Sequence, residues 1–263
     1  MRTKHLLPGF CLLTGLMACS MSLKNDSEVP VDDWSKYNVG TILFMDKAPE
    51  TKGSDIYHRI IPDAESYIKT QARSVLATLY NSPKDSIAPV HKLRYTLEDT
   101  EGISAKGGDH GDISIFYSTR HIEKSFAQND TAKLFFETRG VLLHELTHAY
   151  QLEPQGIGSY GTNRVFWAFI EGMADAVRVA NGGFGPDARP KGGNYMDGYR
   201  TAGYFFVWLR DNKDPEFLRK FNKSTLEIIP WSFDGAIKHI LGKEYNIDEL
   251  WHEYQIAVGD IQA

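Results

Sequence analysis

The chain has 263 residues, of which 42% are hydrophobic, 24% charged and 12% aromatic, with a formal net charge of −5. This is an ordinary globular composition, with room for one well-buried domain or two small lobes. Lysines and arginines are scattered rather than striped, and the net charge is too modest to indicate a partner, so nucleic acid is not expected to bind.

The N-terminus reads as a targeting segment. Arg2 and Lys4 supply a positive start, and residues 6–17 form an apolar run broken by Pro8, Gly9, Thr14 and Gly15. That run is too short to span a bilayer as a helix but suits a signal peptide. It ends in Leu16-Met17-Ala18-Cys19, which resembles the lipobox of bacterial lipoproteins. The resemblance implies cleavage after the small Ala18 and acylation of the Cys19 thiol. We therefore expect a lipoprotein signal peptide over 1–18, a lipidated polar tether over 19–36, and one folded domain over 37–263. The expected location is the bacterial cell envelope, at the outer membrane or cell surface, with the lipid as the sole membrane contact. Cys11 and Cys19 are the two cysteines of the chain, so the mature domain has no disulfide and depends on core packing and metal.

Residues 39–44 read as a first strand. Residues 63–80 read as an amphipathic helix with Ala64, Ile68, Ala72, Val75 and Leu79 on one face. Residues 92–97 alternate like a strand, and Gly107-Gly108-Asp109-His110-Gly111 reads as a turn. Ile113, Ile115 and Tyr117 then alternate with polar or outward positions in a half-buried strand. Helices are expected over 134–151, over 165–180 (ended by Asn181-Gly182-Gly183) and over 199–210. Shorter ones are expected over 231–241 and 246–258, the last capped by the Asn246–Glu249 pair. Strands early and helices late predict an α+β fold, with a small mixed or antiparallel sheet on a mainly helical body.

His144 and His148 of the His144-Glu145-Leu146-Thr147-His148 motif stand just over one helical turn apart, so both rings project from one face. Two nitrogens so placed can grip one Zn²⁺. Glu145 lies about 100° further around the helix, where it can act on a water at the metal without ligating it. Val141, Leu142, Leu143 and Leu146 make this a buried helix, in which paired histidines need partners. Gln151 and Pro154 occupy the positions where a metzincin carries Gly and a third His, which removes that subclass. Downstream, Glu171 and Asp175 share a helical face, with small Gly172 and Ala174 beside them. This resembles the glutamate zincins, which implies Glu171 as third ligand and Asp175 holding a ligand imidazole by its far nitrogen; the reverse assignment stays open. Tyr199, and less strongly Tyr195, are candidates to stabilise the oxyanion.

Taken together, the stretches at 140–151, 170–178, 198–199, 241–243 and 250–254 resemble the plant and bacterial basic secretory protein family of zinc peptidases. The resemblance runs over roughly residues 40–254. It implies a single zincin-like domain, one Zn²⁺ per chain, an endopeptidase activity and a peptide or protein substrate, with a monomer as the expected state. This chain departs from the family in its mild acidity, with a pI near 6.0, and in its lipid anchor. A substrate strand is expected along the sheet edge beside residues 113–118. The rival reading is a non-catalytic zinc-containing surface lipoprotein that binds a protein or glycan. Hydrolysis of a non-peptide amide would use the same residues.

Overall fold

The protein was analysed as a computed structural model that describes residues 34–262. The expected signal peptide, Cys19 and most of the tether lie outside them. Trp34–Lys36, placed by sequence at the end of the tether, form a short 3₁₀ turn, and Trp34 is buried in the core.

Helix starts follow from polar side chains that accept otherwise unpaired backbone N–H groups. Thr51 caps α1 (Lys52–Ile60), Asp63 caps α2 (Ala64–Leu79), Asp130 caps α4 (Thr131–Tyr150) and Asn163 caps α5 (Arg164–Ala180). Each cap contributes about 1 kcal/mol. Between α2 and α4 come β2 (Lys92–Glu98), β3 (Ser104–Asp109), β4 (Asp112–Ser118) and α3 (Thr119–Ser125); β1 (Thr41–Asp46) precedes α1. The C-terminal quarter is α6 (Tyr199–Asn212), α7 (Phe217–Glu227), α8 (Phe233–Leu241) and α9 (Ile247–Ala257). Asn246 caps α9 by accepting from the Asp248 and Glu249 N–H groups, as its spacing predicts.

The fold is α+β, with a mainly helical body. The sheet order is β1-β2-β4-β3. β1, β2 and β4 run parallel, and β3 alone is antiparallel, against β4. The sheet is therefore mixed, one of the two arrangements expected. Helices α1 and α2 carry the chain from β1 back to a parallel β2, a return that antiparallel hairpins do not need. The segment expected as one glycine turn instead holds Gly107 and Gly108 within β3, opposite Ser114 and Ile113. The turn itself is two residues, His110 and Gly111, both at positive φ as tight hairpins require.

That extra strand moves the edge. β4 is flanked by β2 and β3, so no substrate can pair with residues 113–118, and the free edge on the helical side is β3. Ser118 N–H donates to the Ile103 carbonyl at 2.9 Å, which sets the pairing phase. Residues 103, 105 and 107 therefore turn their backbone groups to β4, while Ser104, Lys106 and Gly108 turn theirs outward.

Leu93, Tyr95, Leu97, Ile113, Ile115 and Tyr117 of the sheet are buried with Ile68, Val75 and Leu76 of α2 and Leu142, Leu143 and Leu146 of α4. The lower body is packed with aromatic rings: Phe169 and Trp231 have centroids 4.7 Å apart, and Phe206 and Phe221 are 5.0 Å apart. Burying each such ring stabilises the fold by about 1.5–3 kcal/mol. Helices α5 and α6 approach closely because Gly203 has no side chain; a Cβ there would lie 2.9 Å from the backbone of Asp175 and Ala176. Among the described residues no helix is long and apolar enough to cross a membrane.

Candidate metal centre and active site

Helix α4 brings His144, Glu145 and His148 to the cleft on its last two turns, and α5 brings Glu171 and Asp175 against them. The imidazole Nε2 atoms of His144 and His148 are 3.0 Å apart. Glu171 Oε2 lies 3.3 Å from the first and 3.7 Å from the second. A tetrahedral ion with bonds of about 2.0–2.2 Å sets its ligands about 3.3 Å apart, so the triangle has the size of a metal site. Glu171 Oε2 is buried and has no hydrogen-bond partner of its own, an arrangement that costs free energy unless a cation completes it. His144, His148 and Glu171 can therefore hold a metal ion.

The supporting contacts differentiate the two carboxylates. His144 Nδ1 is 2.7 Å from Asp175 Oδ1, on the far side of the ring from the triangle. Asp175 thus faces the back of His144, and Glu171 faces the triangle. The other Glu171 oxygen accepts from the Tyr160 hydroxyl at 2.6 Å. His148 Nδ1 meets the side-chain amide of Gln151 at 2.8 Å. The sequence reading assigns no role to Tyr160 or Gln151: Tyr160 sits in a Gly-rich loop with no periodicity, and Gln151 enters as a position where metzincin glycine is missing and as the end of the 140–151 stretch.

The charges in the centre are coupled. Burial alone would depress the His144 pKa, but its contacts with Asp175 and Glu171 outweigh this and raise it to about 10. His148 is pushed down to about 3, by burial and then by the charge on His144. Burial pushes Glu171 up, and the two histidines and Tyr160 more than reverse it. The centre thus favours one cation among several carboxylates. Glu145 is buried beside it, and burial, with a smaller push from the Glu171 charge, raises its pKa despite the charge on His144 and hydrogen bonds from Ser104 and the Lys106 N–H of β3.

Tyr199 is brought to the same place. Gly198 and Tyr199 both have positive φ, 65° and 42°. A Cβ on Gly198 would strike the Trp167 ring at 2.7 Å, so glycine there lets the start of α6 sit against α5. The left-handed backbone costs Tyr199 about 1–3 kcal/mol, and it lays the phenol ring parallel to His144 at 6.0 Å between centroids. Tyr195 is not part of the site. Its hydroxyl donates to Asp248 at 3.0 Å, and its ring packs on Phe233 and Trp251.

The cleft over the centre has a volume of about 1110 Å³. Ile103–Lys106 form one wall, Tyr160, Phe166 and Ile170 another, and Glu137, Arg178 and Phe184 line one end. His121 stands behind that end, with Nε2 3.1 Å from Glu137 Oε1, and does not line the cleft.

Comparison with curated proteins finds no significant match, and none of the solved structures matches significantly either. The sequence profile of the BSP family, described as peptidase of plants and bacteria, matches residues 40–254, which include all of the site just described. With most of its length matched and a His-His-Glu group set in a cleft of the matched region, the chain belongs to the BSP family, the peptidases of plants and bacteria.

Proposed function

We propose that the protein is a zinc-dependent peptidase, with His144, His148 and Glu171 holding one Zn²⁺ and Glu145 acting as general base and then general acid. The observation that carries this reading is the convergence of two imidazole nitrogens and an unpartnered buried carboxylate oxygen, with a second carboxylate beside them. Two nitrogens and one oxygen with an open side suit catalytic zinc, whereas structural zinc takes four protein ligands. Zinc bound there supplies Lewis acidity and makes water more acidic.

The chain's own residues do the rest. A substrate strand pairs with the outward backbone groups of Ser104 and the outward carbonyl of Lys106 on β3, which fixes the scissile carbonyl over the centre. Glu145, adjoining the same strand, removes the proton from the attacking water and delivers it to the leaving amine. The Tyr199 hydroxyl donates a hydrogen bond to the oxyanion that forms at the carbonyl. Asp175 holds the His144 ring in place, and Tyr160 holds Glu171. Phe166 and Ile170 give the cleft part of its apolar lining.

Purified protein is expected to carry about one zinc per chain. Removing it with a chelator should lower the melting temperature, since a ligand present at 1,000 times its Kd stabilises the folded state by about 4.1 kcal/mol. Elemental analysis and a thermal melt check both. A metal-free protein whose melting does not respond to added zinc overturns the reading.

We further propose that the mature chain is tethered to the cell envelope through lipid on Cys19, on the strength of Leu16-Met17-Ala18-Cys19. Cells fed a fatty-acid analogue should label the wild-type protein and not Cys19→Ser. Absence of label on the wild type refutes the anchor.

A further inference from the structure

Helix α4 ends at Tyr150, and Gln151 leaves it with extended backbone, φ −69° and ψ 150°. Its N–H still closes the last turn on the Thr147 carbonyl at 2.8 Å. This turn of the chain leaves the Gln151 side chain against His148, with the amide 2.8 Å from Nδ1. The backbone on both sides is pinned. The Tyr80 hydroxyl donates to the Tyr150 carbonyl at 2.6 Å, and the Leu152 N–H donates to Asn222 Oδ1 at 2.9 Å. Gln151 is buried, and its Oε1 has no hydrogen-bond partner. Closing the helix uses the backbone alone, so that duty does not account for a buried amide held against an imidazole.

The chemistry of the ring accounts for it. His148 Nε2 faces His144 Nε2 and Glu171 Oε2 across the triangle. A neutral imidazole has one N–H and one lone pair. When the Nε2 lone pair is given to a cation, the proton resides on Nδ1 and needs an acceptor. The carbonyl of Gln151 can accept it, and the NH₂ cannot. Half a turn about the last side-chain bond exchanges the two amide atoms within the same space, and gives Oε1 the partner it lacks.

We propose that Gln151 is the positioning residue of His148: its side-chain carbonyl accepts the Nδ1 proton, fixes the tautomer and aims Nε2 at the metal. The inference rests on the zinc reading above. It makes the two imidazoles unequal, since His144 is backed by the carboxylate of Asp175 and His148 by a neutral amide. A carboxylate behind a ligand imidazole raises its basicity more than an amide does, so His148 is the weaker of the two donors.

The test compares Gln151→Leu, Gln151→Asn and Gln151→Glu with the wild type. Zinc dissociation constants come from competition with a chelator, melting temperatures from the metal-free proteins, and the His148 nitrogens from ¹⁵N spectra of the zinc-loaded wild type. Leu removes the acceptor, and Asn keeps an amide but falls one methylene short of the ring. Both should weaken zinc binding about 10–100-fold, with the metal-free Asn variant melting near wild type. Glu should bind zinc at least as tightly as the wild type. The wild-type spectrum should show a protonated Nδ1 and an unprotonated Nε2. If the Leu variant does not fold, the Asn and Glu pair carries the comparison. A wild type that binds zinc tightly while Leu and Asn bind equally well removes the role of Gln151 and leaves the metal centre standing, and so does a loss confined to metal-free melting. A wild type that binds no zinc overturns the metal centre and this role with it.

Discussion

Glu145→Gln is expected to leave zinc content and melting near wild type and to lower peptide turnover by about 10²–10⁴-fold, the usual contribution of a positioned general base. The substitution keeps the side-chain size and removes the basic carboxylate of Glu145 beside the triangle. It leaves in place His144, His148 and Glu171, whose atoms could hold the metal ion. The loss can exceed that range, because the same carboxylate also protonates the leaving amine. The measurement is single-turnover cleavage of a peptide substrate by zinc-loaded wild type and variant. Equal rates would show that Glu145 is not the base. A zinc-replete wild type that cleaves nothing across a broad peptide library would favour a protein or glycan binder built on the same scaffold.

Glu171→Ala and Asp175→Ala should separate cleanly. Glu171 presents a buried oxygen to both imidazoles, at 3.3 and 3.7 Å, so its removal should nearly abolish zinc binding. Asp175 touches only the far nitrogen of His144, at 2.7 Å, so its removal should weaken zinc about 10–100-fold and leave a site that fills at high zinc. Zinc titration followed by chelator competition gives both constants. An Asp175 variant stripped of metal, beside a Glu171 variant that retains it, would reverse the ligand assignment.

The centre was legible in the sequence to the extent that it lies on single helices. His144, Glu145 and His148 share one helix, and Glu171 and Asp175 another, so helical spacing alone groups them. Asp63 and Asn246 announced their helices through capping chemistry that is local in sequence. What depends on non-local pairing was not legible. The parallel order of β1, β2 and β4 has no signature within any one strand. β3 was hidden because Gly107 and Gly108 look like a turn until a partner strand fixes them. Helices α1, α3 and α7 were passed over. Lys52–Ile60 carries Gly53 in its first turn, Thr119–Ser125 is barely two turns long, and Phe217–Glu227 is largely polar outside its buried face. Tyr160 and Gln151 act through side chains that reach back from loop and helix end, and no spacing rule connects them to the residues they hold.

A strand edge that can receive a substrate can also receive another copy of itself, and β3 carries features that restrict this. Lys106 puts a charge on the open side of the strand, and its ammonium hydrogen-bonds the Gly108 carbonyl at 3.0 Å, occupying one of the outward acceptors. Beyond it the chain turns at His110 and Gly111. The Lys106 N–H is held by Glu145, so the unclaimed template is short, the outward groups of Ser104 and the Lys106 carbonyl, too brief to nucleate stacking between molecules yet long enough to register one extended chain. Because such pairing reads main chain rather than side chains, susceptibility to this protein should follow how readily a target segment becomes extended, with folded regions spared and loops or unfolded tails cut.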